Sequence, residues 1–133
     1  MAFVLVFSFN AASFAAVGDG DNVMQPYATH SVTFSIERTS ATTADVYVNT
    51  IFTDVVDSYN VVIYLEKYEN GEWVIDIDND EYVFFNNGWN KRIFTFFNTY
   101  EGLERGASYR IMCISKDHVG DIESRSTVYS RTF

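Results

Sequence analysis

Chemistry in this chain would have to come from few residues. Among side chains that move protons or bind soft metals near neutral pH, the 133-residue sequence carries two histidines, His30 and His118, and one cysteine, Cys113. A nucleophilic triad needs a serine or cysteine within hydrogen-bond reach of a histidine that a carboxylate orients. His118 has Asp117 and Asp121 beside it in a segment that reads as a turn, yet no elbow motif presents a serine to it. His30 precedes the first expected strand and reads as a solvated residue. Eighteen acidic residues make some pair at glycosidase-like separation inevitable by chance, so carboxylate pairing carries no weight.

Asp76-Ile77-Asp78-Asn79-Asp80-Glu81 opens like a calcium loop, but Glu81 stands where the sharp turn needs glycine and Asn87 where a bidentate glutamate should close the site. In an extended strand alternate carboxylates lie about 7 Å apart, too far for one ion to collect them. Charges that blunt an edge strand against aggregation are the expected role. Cys113 lies inside the apolar run 109–114, as a small buried hydrophobe would, and a lone cysteine permits neither an internal disulfide nor a cysteine-based zinc site. The expectation is a non-enzyme with no metal and no cofactor. A hydrolase remains a remote alternative, requiring a concave pocket with His118 within hydrogen-bond reach of a serine.

The elements that position these residues read as strands. The hydrophobic share is 47% and the aromatic share 17%, with Phe, Tyr, Val, Ile and Thr abundant, and these residues suit pleated, half-buried surfaces. A net charge of −9 repels phosphate backbones and anionic lipid heads, which argues against nucleic acid as a partner.

Residues 1–15 form an apolar run followed by small residues, the layout of a signal peptide with cleavage expected after Ala15, although no Lys or Arg precedes Arg38. The run is too short to span a membrane once Asn10 and the glycines beyond Val17 are counted, so no stable insertion is expected after cleavage, and the protein is expected to be secreted. Residues 16–30 hold the only proline and read as a flexible leader; residues 31–133 form one domain.

Val32, Phe34 and Ile36 alternate with polar residues, as do Val46, Val48 and Thr50, the period-two pattern of strands with one wet face. Turns are expected at 39–43, 54–58, 86–88 and 117–121. Asn70-Gly71 is expected to close a type I′ hairpin that sets Tyr68 opposite Trp73, with either a bulge near Glu66 and Lys67 or a returning strand that twists off the core edge. Leu103, Gly106 and Tyr109 have the spacing of a tyrosine corner, in which the phenol bonds backward to upstream backbone where the chain crosses between sheets. About seven short strands and no credible helix point to an all-β, immunoglobulin-like Greek-key sandwich.

That corner resembles the Leu-x-Pro-Gly-x-x-Tyr pattern of fibronectin type III domains, with Arg105 where that family usually has proline. Together with the signal-like start, Val23-Met24-Gln25-Pro26-Tyr27, Tyr68-x-Asn70-Gly71-x-Trp73 and Gly106-x-x-Tyr109-Arg110, the chain resembles small exported bacterial proteins of uncharacterised function. The resemblance implies a fold and no catalytic residues. The tryptophan usual in the strand before the hairpin is absent from residues 61–68, so core packing is expected from Ile63, Leu65, Phe94, Phe96, Tyr109 and Ile111.

Parity then turns Val62, Tyr64, Met112 and Ile114 outward. A strip of Tyr64, Met112 and Ile114, with Tyr68 and Trp73 near its end, is the expected binding surface for a protein partner, because aromatic faces give contact area at low entropy cost. Carbohydrate binding through Trp73, Trp89 or Tyr82 is the alternative. The sequence does not fix the oligomeric state.

Overall fold

A computed structural model describes residues 7–10, 31–75 and 82–133, and the chain there is an all-β, antiparallel structure with no helix. Strand β1 (Phe7–Asn10) lies within the stretch read as a signal and pairs with β2 (Ser31–Arg38). The remainder of that stretch, the leader with His30, and the acidic run 76–81 fall outside the described residues.

The architecture rests on two long strands, β3 (Ala44–Glu69) and β5 (Val83–Tyr100), which pair along their lengths. The first half of β3 also pairs with β2, and its second half pairs with β6 (Tyr109–Val119) and with β4 (Glu72–Ile75). β7 (Ile122–Tyr129) adds to β6. A register shift between Ile51 and Val56 bends β3, and Asn90 takes the left-handed φ of 52° at the matching point of β5. Extra residues on one strand of a pair increase its local bend, and Asn tolerates that φ because its short polar side chain bonds locally. The sheet thereby curls over one shared core.

Alternation decides which face points inward. Val32, Phe34 and Ile36 of β2, Val46, Val48 and Thr50 of β3, and Phe94 and Phe96 of β5 are buried, as are Val61, Ile63, Leu65, Tyr109, Ile111 and Cys113 on the other half. All residues expected to pack the core do so. Full burial of a Leu or Ile side chain stabilises by about 1.5–3 kcal/mol relative to exposure. The Tyr59 ring sits 5.8 Å from both Phe52 and Phe94 and so bridges the halves.

Several expected turns are strand instead. Residues 54–58 lie within β3, where buried Val56 and Tyr59 anchor the bend and the acidic residues point away from the core. Asn86-Asn87-Gly88 lies within β5 because Gly88 pairs with Tyr59, whose ring occupies the space a Cβ would need, at 2.7 Å. Glycine serves there for close approach. The expected bulge near Glu66 and Lys67 is absent, since Glu66 pairs with Ile75 and Lys67 with Val74 in regular register. Buried Glu66 is accommodated by an ion pair with Arg110. The last turn contracts to Gly120 and Asp121, with the Gly120 N–H donating to Asp57. The Asn70-Gly71 hairpin does close, at φ 52° and 89°, with Tyr68 opposite Trp73.

Candidate functional site

The outward face of β4, β5, β3, β6 and β7 carries the residues singled out for binding, and cross-strand register arranges them in rows. Nearest the Asn70-Gly71 hairpin, the Tyr68 and Trp73 rings lie 5.1 Å apart. Beside them the Arg110 guanidinium stacks on Trp73 at 4.3 Å and on Tyr129 at 4.1 Å, while its Nε donates to Glu66. A cation held between two aromatic faces and a carboxylate is fully engaged within the domain.

The next row runs Tyr64, Met112, Tyr129. Met112, expected outside, is 9% exposed, because a flexible thioether between two larger neighbours in the register is covered by them. Tyr64, Ile114 and Val62 face outward as expected but are half-buried, and of the strip only Tyr68 keeps a large exposed surface, at 47%. Its companion Trp73 is half-buried. The structure therefore brings these residues onto one face without making them a free apolar surface.

The corner fixes this end. Tyr109 is buried beside Leu103, its hydroxyl accepts a hydrogen bond from the Glu104 N–H at 2.8 Å, and Gly106 between them adopts a φ of 78°. Arg38 lies over the Tyr109 ring and donates to the Ala107 carbonyl. The exposed Lys67 ammonium pairs with both Glu104 and Glu69, and those hydrogen bonds raise its pKa.

The opposite end of the face is organised differently. Trp89 pairs with Ser58, Ser58 with His118, and His118 with Glu123, making one row across the strands β5, β3, β6 and β7. Ser58 Oγ lies 3.4 Å from His118 Nδ1, His118 Nε2 lies 3.1 Å from Glu123 Oε2, and Lys116 Nζ reaches the same oxygen at 2.8 Å. A neutral His118 carrying its proton on Nε2 would donate to Glu123 and accept from Ser58. The Lys116 hydrogen bond, with the Lys116 charge behind it, holds the Glu123 carboxyl below its ordinary pKa. The Trp89 ring is 69% exposed, the most exposed large hydrophobic side chain described. It borders a cavity of about 270 Å³ lined also by Ser58, Asn60, Asn87, Lys116 and His118.

This row meets the geometric condition set for a hydrolase, a serine near His118 in a concavity. Its chemistry is weak for that task. The contact at 3.4 Å is at the long limit of hydrogen bonding, and the carboxylate that would orient the imidazole is half-exposed and shared with Lys116. What the arrangement offers is a flat apolar ring beside a fence of fixed donors and acceptors.

The other aromatic and reactive candidates are occupied. Tyr82 is half-buried with its ring edge against Tyr100 at 6.0 Å. Cys113 is fully buried, and burial pushes its thiol up to about 12, so it is not a thiolate at neutral pH. Sequence reasoning missed Ser58, Asn60, Asn87 and Lys116. Asn60 and Ser58 share the parity of Tyr64, and continuing that alternation upstream would have found them had residues 54–58 not been read as a turn.

No family model, curated protein or solved structure matches this chain. Among the described residues no helix is long and apolar enough to cross a membrane, and no cluster of His, Cys, Asp and Glu is arranged to hold a metal.

Proposed function

We propose that this chain is an exported, non-enzymatic recognition module that binds carbohydrate through Trp89 and the polar groups around it. A sugar ring presents an apolar face of C–H bonds and a rim of hydroxyls. Trp89 supplies the stacking plane, and Ser58, Asn60, Asn87, Lys116 and His118 supply donors and acceptors at the rim. The observation that carries this reading is the 69% exposure of a tryptophan bordering a cavity that Ser58, Asn60, Asn87, Lys116 and His118 also line. The negative net charge supports a neutral ligand over nucleic acid.

The fold we infer is a fibronectin type III-like Greek-key sandwich. β2, the first half of β3 and the second half of β5 make one layer; β4, the first half of β5, the second half of β3, β6 and β7 make the other. The Tyr109 hydroxyl bonded to backbone at the crossing into β6 supports this assignment.

The test is a glycan array probed with the wild-type domain and with Trp89→Ala. Binding to a defined glycan class, weakened roughly tenfold or more by Trp89→Ala and unchanged by Tyr68→Ala, is expected. A folded wild-type domain that captures no glycan overturns the reading. Export is tested by sequencing the N-terminus of protein recovered outside the cell. A start at Ala16 is expected, which removes β1 and leaves β2 as an edge strand, whereas retention of Phe7 contradicts cleavage.

A second reading, a protein partner, is favoured by exposed Tyr68, Val74 and Tyr129 around the Trp73–Arg110 stack. A defined partner whose binding is lost on Tyr68→Ala and kept on Trp89→Ala would move the function to that end.

A further inference from the structure

We propose that the free edge of β5 is a self-association site, through which two copies of this chain pair antiparallel about a two-fold axis centred on Phe96. β5 pairs with β3 along one edge, and among the described residues no strand pairs along the other. An unpaired edge presents backbone N–H and C=O groups whose natural complement is another extended strand, and proteins usually blunt such edges with charge, proline or shortness.

The other edges are blunted in this way. β7 carries Glu123 and Arg125, β4 and β1 are only 4 residues long each, and β2, the edge once β1 is removed, ends in Glu37 and Arg38. Ile93-Phe94-Thr95-Phe96-Phe97-Asn98-Thr99-Tyr100 contains no charge, proline or glycine and consists of β-branched and aromatic residues plus one asparagine. That composition has the strongest tendency to add strands. Its outward side chains are also apolar in part: Phe97 packs on Tyr47 at 4.4 Å, with Ile93 opposite Ile51, and all four are exposed. A cleft of about 540 Å³, lined by Val83, Phe84, Thr95, Phe96 and Thr99 among others, runs beside the edge.

Charge selects the occupant and the register. The uncharged segment is bracketed by Lys91 and Arg92 on one side and Glu101 on the other, with Lys91 and Glu101 both exposed. In antiparallel pairing, opposed residues must point to the same face, so a register centred on a residue keeps both copies' outward side chains together. Centred on Phe96, it sets Lys91 of each copy opposite Glu101 of the other. Centring on Phe97 puts Glu101 opposite Ile93, and parallel pairing sets Lys91 against Lys91. Because the contact is isologous it closes as a dimer, and the 91–101 edge of each copy is used up within it.

Sedimentation equilibrium over the micromolar to millimolar range tests this with wild type, Lys91→Glu, Glu101→Lys and the double charge swap. All three variants substitute exposed positions, and circular dichroism verifies the fold of each. A wild-type dimer is expected, with dissociation raised about tenfold by either single reversal and restored by the swap, since each single change turns two attractive end pairs into repulsive ones. A wild-type chain that stays monomeric, a dimer indifferent to the single reversals, or open-ended assembly overturns the proposal.

Discussion

The two ends of one sheet face use the same residue types to opposite effect. At the corner end, Trp73, Tyr68, Tyr129, Arg110 and Glu66 satisfy one another, and Tyr109 is tied by its hydroxyl to backbone. At the other end Trp89 stands exposed, beside Ser58, His118, Glu123 and Lys116, which bond among themselves at the rim of a cavity. The first arrangement spends its aromatics on holding the fold. The second leaves a ring and its neighbours able to meet a ligand. An aromatic residue's place in the sequence pattern does not separate these uses; its partners do.

The sharpest way to break this contrast is at Tyr109. Tyr109→Ala should lower stability by about 3–5 kcal/mol in urea unfolding, through lost packing and the cavity left behind. Tyr109→Phe isolates the hydroxyl and should cost about 1–3 kcal/mol by leaving the Glu104 N–H without its acceptor. A Tyr109→Phe protein as stable as wild type would show the tie to be dispensable. Gly88→Ala should come next, at about 1–3 kcal/mol, because the new Cβ meets the buried Tyr59 ring, which also donates through its hydroxyl to Asn86. Trp89→Ala, one residue away, should change stability by no more than about 0.5 kcal/mol, since an exposed ring gives up little burial.

The smallest effect concerns Glu123. With its folded-state pKa depressed by Lys116, any stability it adds is present above the ordinary carboxylate range and fades as pH falls through the depressed value. Exposure and salt screening keep that contribution small. Carbon-detected NMR titration should find Glu123 below its ordinary pKa, returning towards it in Lys116→Met; an unchanged value in that variant would remove Lys116 as the cause.

Much of the strand pattern was legible, because period-two alternation marks a face wherever one side of a strand is wet and the other buried. Val32, Phe34, Ile36, Val46 and Val48 are inward as that rule requires, and Ile63, Leu65 and Ile111 follow it too. What failed were positions where turn chemistry and close approach demand the same residue. Gly88 and the acids at 54–58 resemble turns, yet one accommodates a tyrosine ring and the others line the outside of a bend. That misreading split two long strands into short ones and hid the row containing Ser58 and Trp89. Parity also says which way Met112 points without saying whether its neighbours cover it.

The most direct measurement is the fluorescence of Trp89 in a Trp73→Phe variant, where it is the sole tryptophan, titrated with each glycan class presented to the domain. A saturable blue shift of its emission with one class, absent when Asn60 and Asn87 are both changed to Ala, is the expected result. Emission that stays solvent-like at every sugar concentration would contradict a carbohydrate platform at this end of the sheet.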